Sequence, residues 1–383
     1  MGIDKIVVHQ ISLPFSFDFS HSLRTRSSVN NIMVEVIAEG GELSGYGEGA
    51  PRSYVTGETQ KGAVESIMSF AREAFFPWDL TDASQIWKLV DKSTKGKEAN
   101  SAICALETSL LDTLGKKERK SIIDYFPQDF SVNTIYYGGA IPLADKQRVM
   151  EVCYLIKARK IRKLKLKLGN SGEENREALD GVKQVYGDDY DLKVDINGVW
   201  DYEVAMAHVP LIREYNVKVV EQPMKPDDSD ISHFAEVMRG HGVILMADES
   251  ACSFADMERI VEDGHYSMVN VRLSKCGGFR NSLKKINYLR NQGISFQIGC
   301  QLGESGLLSA AGRALSLLCS DAVYHDGSYD EFLLKENVTL ENVSFGLEGE
   351  AGPLRGPGLG VEINHENLQR LSDPSTMVTI SKP

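Results

Sequence analysis

The 383-residue chain has no apolar run long enough to cross a bilayer, and its hydrophobic content of 42% is that of an ordinary globular protein. It also lacks an excess of positive charge. Fifty-four acidic residues against 42 basic ones leave a net charge of −12, which argues against nucleic acid as a partner, because phosphates need a basic face. No Cys-x-x-Cys pair occurs. The cysteines at 104, 153, 252, 276, 300 and 319 sit among apolar or small residues, the pattern of buried thiols in a reducing compartment. The first residues, Met1 to Lys5, lack a basic-then-apolar leader, and position 6 is Ile where N-myristoylation needs Ser or Thr. The expectation is a cytoplasmic protein without membrane or nucleic-acid partners, for which a homo-oligomer is an open option.

What the chain does have is a rhythm. Lys163-Leu-Lys-Leu-Lys-Leu-Gly169, Leu192-Lys-Val-Asp-Ile-Asn197, Val219-Val-Glu-Gln-Pro223 and Ile244-Leu-Met-Ala-Asp-Glu249 are short apolar or alternating runs, each ending on charge. Lys167, Asp195, Glu221 and Asp248 are separated by 28, 26 and 27 residues, the length of one strand, one helix and two turns. Helical periodicity fills the gaps, as at Leu179, Val182 and Val185, or Phe279, Leu283, Ile286 and Leu289. Met268–Leu273, Phe296–Cys300 and Ala322–Asp326 continue the series, and Val132–Tyr136 is expected to open it. Eight such runs predict a parallel α/β barrel, whose strand ends open on the face that carries barrel chemistry.

The first 130 residues read differently. Strands are expected at 4–13 and 32–37, separated by a polar loop from Phe17 to Asn31 that carries His21, Arg24 and Arg26. Turn-rich pieces follow at Gly45–Gly49 and Pro51–Glu58, then helices from about 60 to 117. Strands followed by helices predict a separate α+β unit over residues 1–130. The barrel is expected at 131–334, and the Gly-rich tail within 335–383 is expected to return to the N-terminal unit.

Three carboxylates, Asp195, Glu221 and Asp248, end consecutive predicted strands. Neighbouring strands lie about 4.8 Å apart, so these side chains can converge, and like charges gathered there repel unless a cation sits among them. Oxygen-only ligands point to a hard ion, Mg²⁺ by preference with Mn²⁺ as the alternative. Asn197 keeps the parity of Asp195 and is a supporting residue, whereas Glu249 has the wrong parity for a ligand. Lys165 and Lys167 share the strand face of Lys163. A lysine inside a barrel near a cation is expected to have a lowered pKa and to serve as a general base.

These motifs resemble the enolase superfamily, specifically its muconate-lactonizing (muconate cycloisomerase) subgroup: Lys165-Leu-Lys167, then Asp195 in Val-Asp-Ile-Asn, Glu221 in Glu-Gln-Pro and Asp248 in Ala-Asp-Glu-Ser. Gly47-Glu48, Gly299–Ser305 and Pro357–Gly360 are similar to the family as well. The resemblance covers nearly the whole chain. It implies a modified (β/α)8 barrel, (β/α)7β, under an α+β cap. It also implies one Mg²⁺ that stabilises an enediolate formed by removing the proton α to a carboxylate.

Two positions depart from that pattern. On the sixth strand, Asn270-Val-Arg-Leu-Ser-Lys-Cys-Gly-Gly278 puts Arg272 where the subgroup has its second lysine base, and a guanidinium stays protonated. On the last strand, dipeptide epimerases, which this chain also resembles, carry Asp-x-Asp to hold a substrate ammonium; here Tyr324-His-Asp326 keeps one of the two. The reading is a one-base isomerase or lyase on a small carboxylate, of cycloisomerase or syn-elimination type. Lys167 is the acid/base, Lys165 the charge beside it, and Arg272 a fixed cation. Asn197, Glu304, Asp326, Tyr54 and Arg24 are candidates for substrate contact or for supporting the residues that make it. The alternatives are an epimerase of a dipeptide or N-substituted amino acid, and a binding protein without turnover.

Overall fold

A computed structural model describes residues 1–21 and 24–383, with side chains for all of these except 17–26. Strands β1 (Ile3–His21), β2 (Arg24–Ala38) and β3 (Leu43–Gly49) come first, followed by helices α1 (Gln60–Ala71), α2 (Ala83–Ser93) and α3 (Asn100–Glu118). The expected polar loop from Phe17 to Asn31 is a correction, because β1 and β2 continue through most of it. Leu13 pairs with Val29 and Ile11 with Asn31, and buried Leu13, Phe15 and Val29 carry the inward alternation past the predicted strand ends. β3 lies flush on α3 because Gly45, Gly47 and Gly49 offer no side chain. A Cβ at Gly47 would sit 2.2 Å from the carbonyl oxygen of Ala105.

The next strand is the second correction. β4 (Ile135–Tyr136) pairs antiparallel with a distant segment, Glu350–Ala351, and is not in the barrel sheet. The barrel opens instead with β5 (Gly139–Ile141). It proceeds through α4 (Lys146–Ala158), β6 (Lys163–Lys167), α5 (Gly172–Tyr186), β7 (Asp191–Asp195), α6 (Tyr202–Glu214), β8 (Val219–Glu221), α7 (Ile231–Gly240), β9 (Ile244–Ala247), α8 (Phe254–Asp263) and β10 (Met268–Arg272). A short α9 (Leu273–Cys276), α10 (Gly278–Asn291), β11 (Ser295–Gly299) and α11 (Gly306–Leu317) complete the alternation. The parallel sheet runs in the order β11-β10-β9-β8-β7-β6-β5. Residues 324–326 close it: His325 bridges Ile298 of β11 on one side, and its carbonyl accepts from Gly138 N at 2.8 Å on the other.

Alternation along the strands builds the barrel in two directions. Outward residues such as Leu164, Leu166, Leu192, Val194, Val220 and Val271 are buried under the helices, each contributing about 1.5–3 kcal/mol by burial. Inward residues form layers. Val219, Met246, Met268 and Tyr324 plug the bottom, and the mouth is charged. The helices start where side chains cap them. Ser171, Asp201 and Ser253 accept from Glu174, Val204 and Asp256 N–H groups.

After the barrel, α12 (Asp330–Leu333), β12 (Glu350–Ala351), α13 (His365–Leu371) and β13 (Val378–Ser381) end the chain. β13 pairs with β1, so the tail returns to the N-terminal sheet, whose order is β13-β1-β2-β3. Buried acids join that unit to the barrel. The Glu48 carboxylate accepts from the Ser305 hydroxyl and from Ser305 and Leu308 N–H groups at the start of α11. Glu107 does the same for Phe279 and Arg280 N–H at the start of α10.

Candidate active site

The register of the parallel sheet sets the acids side by side. Asp195 pairs with Glu221, and Glu221 with Met246, so Asp248 follows two residues beyond, just past β9. All three carboxylates are buried. Asp195 Oδ2 accepts from Lys167 Nζ at 3.1 Å, and Glu221 Oε1 from Asn270 Nδ2 at 2.6 Å. Asp248 Oδ1 accepts from Lys275 Nζ at 2.8 Å, and its other oxygen pairs with Arg272. Arg272 Nη2 also reaches Glu221 Oε1 at 3.5 Å, so one guanidinium spans two of the three acids. Burial opposes ionisation at each acid. At Asp195 it is outweighed by Lys167, Lys165 and Arg272, and at Asp248 by Arg272 and Lys275, so both stay below the usual carboxylate range. At Glu221 burial wins, helped by Asp195 and Asp248 against Lys165, and its pKa is raised.

The two lysines behave differently from each other. Lys165 is buried, and although burial works against its charge, Asp326, Glu221 and Asp195 raise its pKa well above normal. A fall in pKa was expected for barrel lysines; at Lys165 the surrounding acids reverse it. Its Nζ lies 2.8 Å from Asp326 Oδ2 and 3.7 Å from Glu221 Oε2. Lys167 stands nearer solvent, and besides Asp195 it donates to Asn197 Oδ1 at 2.6 Å.

A cavity of about 300 Å³ opens at the barrel mouth, lined by Tyr54, Lys165, Lys167, Asp195, Asn197, Arg272 and Glu304, with Glu249 beside them. Glu304 is pushed up to about 8 by burial, against the bond it accepts from Gln301 N. Glu221, Asp248 and Asp326 lie behind this lining, Asp326 beneath Lys165. The side chain of Arg24, like those of the whole Phe17–Arg26 segment, lies outside the described residues. Glu249 was set aside on strand parity, yet it faces the cavity and accepts from Asn197 Nδ2 at 3.2 Å. β9 ends at Ala247, so alternation no longer dictates direction two residues later. Farther out, Leu155, Ile156, Phe332 and Phe345 form an apolar wall that carries Arg159, a feature without a sequence signature.

Among the described residues, no group of three or more His, Cys, Asp or Glu is gathered as a metal site. The donor chemistry suits a hard divalent cation all the same. The three buried carboxylates stand at adjacent strand ends, and Glu221 Oε2 is buried without a hydrogen-bond partner. The set therefore fits such an ion by donor type and burial, with Arg272 as its internal competitor.

Residues 148–367, more than half of the chain, match the family described as enolase C-terminal domain-like. Full-length relatives include a hydrophobic dipeptide epimerase of Enterococcus faecalis, 27% identical over 95% of this chain and 100% of its own. An N-succinyl-L-Arg/Lys racemase of Bacillus cereus is 25% identical over 97% and 98%. A chloromuconate cycloisomerase of Cupriavidus necator is 24% identical over 96% and 98%. Among solved structures, the Bacillus cereus N-succinyl Arg/Lys racemase superposes with a TM-score of 0.86 at 23% identity, covering 99% of this chain and 100% of its own. A dipeptide epimerase of Cytophaga hutchinsonii, complexed with Mg and the dipeptide D-Ala-L-Val, gives 0.85 at 21% identity and 100% coverage of both chains. The fold and the matched family agree: this chain belongs to the enolase superfamily, with muconate cycloisomerases and dipeptide epimerases among its relatives.

Proposed function

We propose that the protein is a Mg²⁺-dependent isomerase or lyase that removes the proton α to a carboxylate of a small substrate, using one base. The observation that carries this is the pairing of Lys167 with Arg272 across one cavity. β6 and β10 are four strands apart in a ring of eight segments, so these residues face each other. Lys167 is the base and returns the proton on its own face, while Asn197 and Asp195 fix the direction of its Nζ. Lys165, held charged by Asp326, and Arg272 stand beside the negative charge that grows on the substrate carboxylate when the proton leaves. Asp195, Glu221 and Asp248 are the residues that would hold Mg²⁺, which when bound supplies an electrophile for that carboxylate. Residues 1–130, with part of 335–383, serve as a cap over a barrel of residues 131–334, and Tyr54 is one of the residues it brings to the cavity.

A second reading is supported by the relatives that are epimerases or racemases: Arg272 gives up a proton and both faces exchange. Incubation in D₂O with a panel of muconolactones, N-acylamino acids, dipeptides and hydroxy acids tests both readings. Exchange of the α-proton with retained configuration supports one base, and deuterated racemate supports two. No exchange with any compound would refute catalysis of this kind.

A further inference from the structure

Glu221 is followed by Gln222 and Pro223, and the chemistry above uses only the glutamate. β8 ends at Glu221. Gln222 N makes one more rung to β9, donating to Met246 O at 2.8 Å, and Pro223 has no N–H to offer the next. The backbone turns away with Gln222 at φ 38°, in the left-handed region, which is unfavourable for a residue with a side chain and more so before a proline. Gln222 is fully buried, and its side chain reaches across to the end of β9. Its Oε1 accepts from Asp248 N at 2.9 Å and from Ser250 N at 3.0 Å. Its Nε2 donates to Met224 O and to Ser250 Oγ, both at 2.8 Å. N–H groups on one side and acceptors on the other fix which way the amide points.

A primary amide carries the donor and the acceptor of a peptide group, so this side chain continues a ladder that the backbone has left. An ionised Glu lacks the donors, Lys lacks the acceptor, and Asn is one methylene short. What Gln222 holds is the segment just past Ala247, where β9 ends and alternation no longer sets direction. Asp248 is gripped from two sides. Gln222 takes its N–H, while Lys275 Nζ donates to its carbonyl at 2.7 Å and to its Oδ1 at 2.8 Å. Toward the other neighbour, the Gln222 carbonyl accepts from Gly198 N at 2.7 Å, the residue after Asn197. One residue therefore ties together the strand ends that carry Asn197, Glu221 and Asp248.

We infer that Gln222 is a positioning residue for the cation-binding carboxylates: its side-chain amide, standing in for a backbone rung, sets the direction in which Asp248 leaves β9 and its spacing from Glu221. This rests on the reading that Asp248 is one of the Mg²⁺ ligands. Gln222 does not line the cavity and acts through Asp248.

Gln222→Met keeps the length of the side chain and removes its hydrogen bonds, and two measurements on the full chain read the result. In metal-free protein, hydrogen–deuterium exchange of residues 247–252, followed by mass spectrometry, should quicken about tenfold, while β7 keeps its wild-type rate. Calorimetric titration with Mg²⁺ alone should show affinity about 10- to 100-fold weaker than wild type. Gly47→Ala, which disturbs the packing of β3 on α3, is the control: it should lower the urea midpoint and leave both readouts at wild-type values. Gln222→Asn, which keeps the amide but shortens its reach, should give the same two shifts and serves if Gln222→Met does not fold. Unchanged exchange in a folded Gln222 variant, or the same shifts in Gly47→Ala, overturns the inference. So does Mg²⁺ affinity within about threefold of wild type in a folded Gln222 variant when Asp248→Asn loses it. If Asp248→Asn binds Mg²⁺ as tightly as wild type, the metal reading fails, and the exchange comparison alone decides whether Gln222 holds this segment.

Discussion

Lys167 donates to Asn197 at 2.6 Å, and Asn197 is held in the left-handed region at φ 51° just after β7. Asn is one of the few side chains that tolerate that backbone. The position therefore serves two purposes, turning the chain and aiming the amine. Asn197→Ala should lower kcat for α-proton exchange by roughly 10- to 100-fold with a smaller change in KM. Asn197→Asp, which keeps an acceptor, should recover part of the loss. Equal losses in both variants, or none, would contradict the orienting role.

Arg272 spans Glu221 and Asp248 where a divalent cation would bind. Removing that charge removes a competitor, so Arg272→Gln should tighten Mg²⁺ binding measured by calorimetry. Asp248→Asn should weaken it and stop turnover. Affinity unchanged in both variants would place the ion elsewhere.

The Glu107 carboxylate of α3 accepts from the Phe279 and Arg280 N–H groups, and among the described residues it forms no ion pair. Burial raises its pKa from 4.5 to about 8. Between those values the folded state holds one proton more than the unfolded chain, so stability falls as pH rises through that window and levels off above it. Glu107→Gln should flatten that decline, by on the order of 2 kcal/mol across the window. Urea titrations at several pH values read the difference between the two proteins, and parallel curves would show that Glu107 is ionised throughout.

Gly47 lets β3 rest on α3, and a Cβ there would lie 2.2 Å from Ala105 O and 2.5 Å from Ser109 N. Both atoms are backbone and cannot rotate away. Gly47→Ala should cost on the order of 2–4 kcal/mol, seen as a lower urea midpoint at unchanged slope. An unchanged midpoint would mean the strand shifts without loss.

Much of the barrel was readable because its spacing is local. Asp195, Glu221 and Asp248 each end a run that carries its own apolar pattern, so their common face followed from strand length alone. What escaped depends on partners far away in sequence. Val132–Tyr136 alternates as a barrel strand should, yet Ile135 and Tyr136 pair with Ala351 and Glu350. The strand that opens the barrel, Gly139–Ile141, is three residues long, too short for any periodicity. Asp326 was read as a substrate contact or a supporting residue, and nothing near it in sequence betrays Lys193 or Lys165, which occupy it. Arg272 was recognised as a departure, but its bridging of Glu221 and Asp248 comes from side-chain reach across three strands, which no pattern encodes.

The central claim is that one face of the cavity exchanges protons and the other does not. The direct measurement follows a turned-over chiral substrate in D₂O with wild type and Lys167→Ala. The account predicts deuterium at the α-carbon with configuration retained in wild type, and no exchange at all in Lys167→Ala. Recovered substrate that is racemic and deuterated in both enantiomers would contradict it, and would make Arg272 a working base.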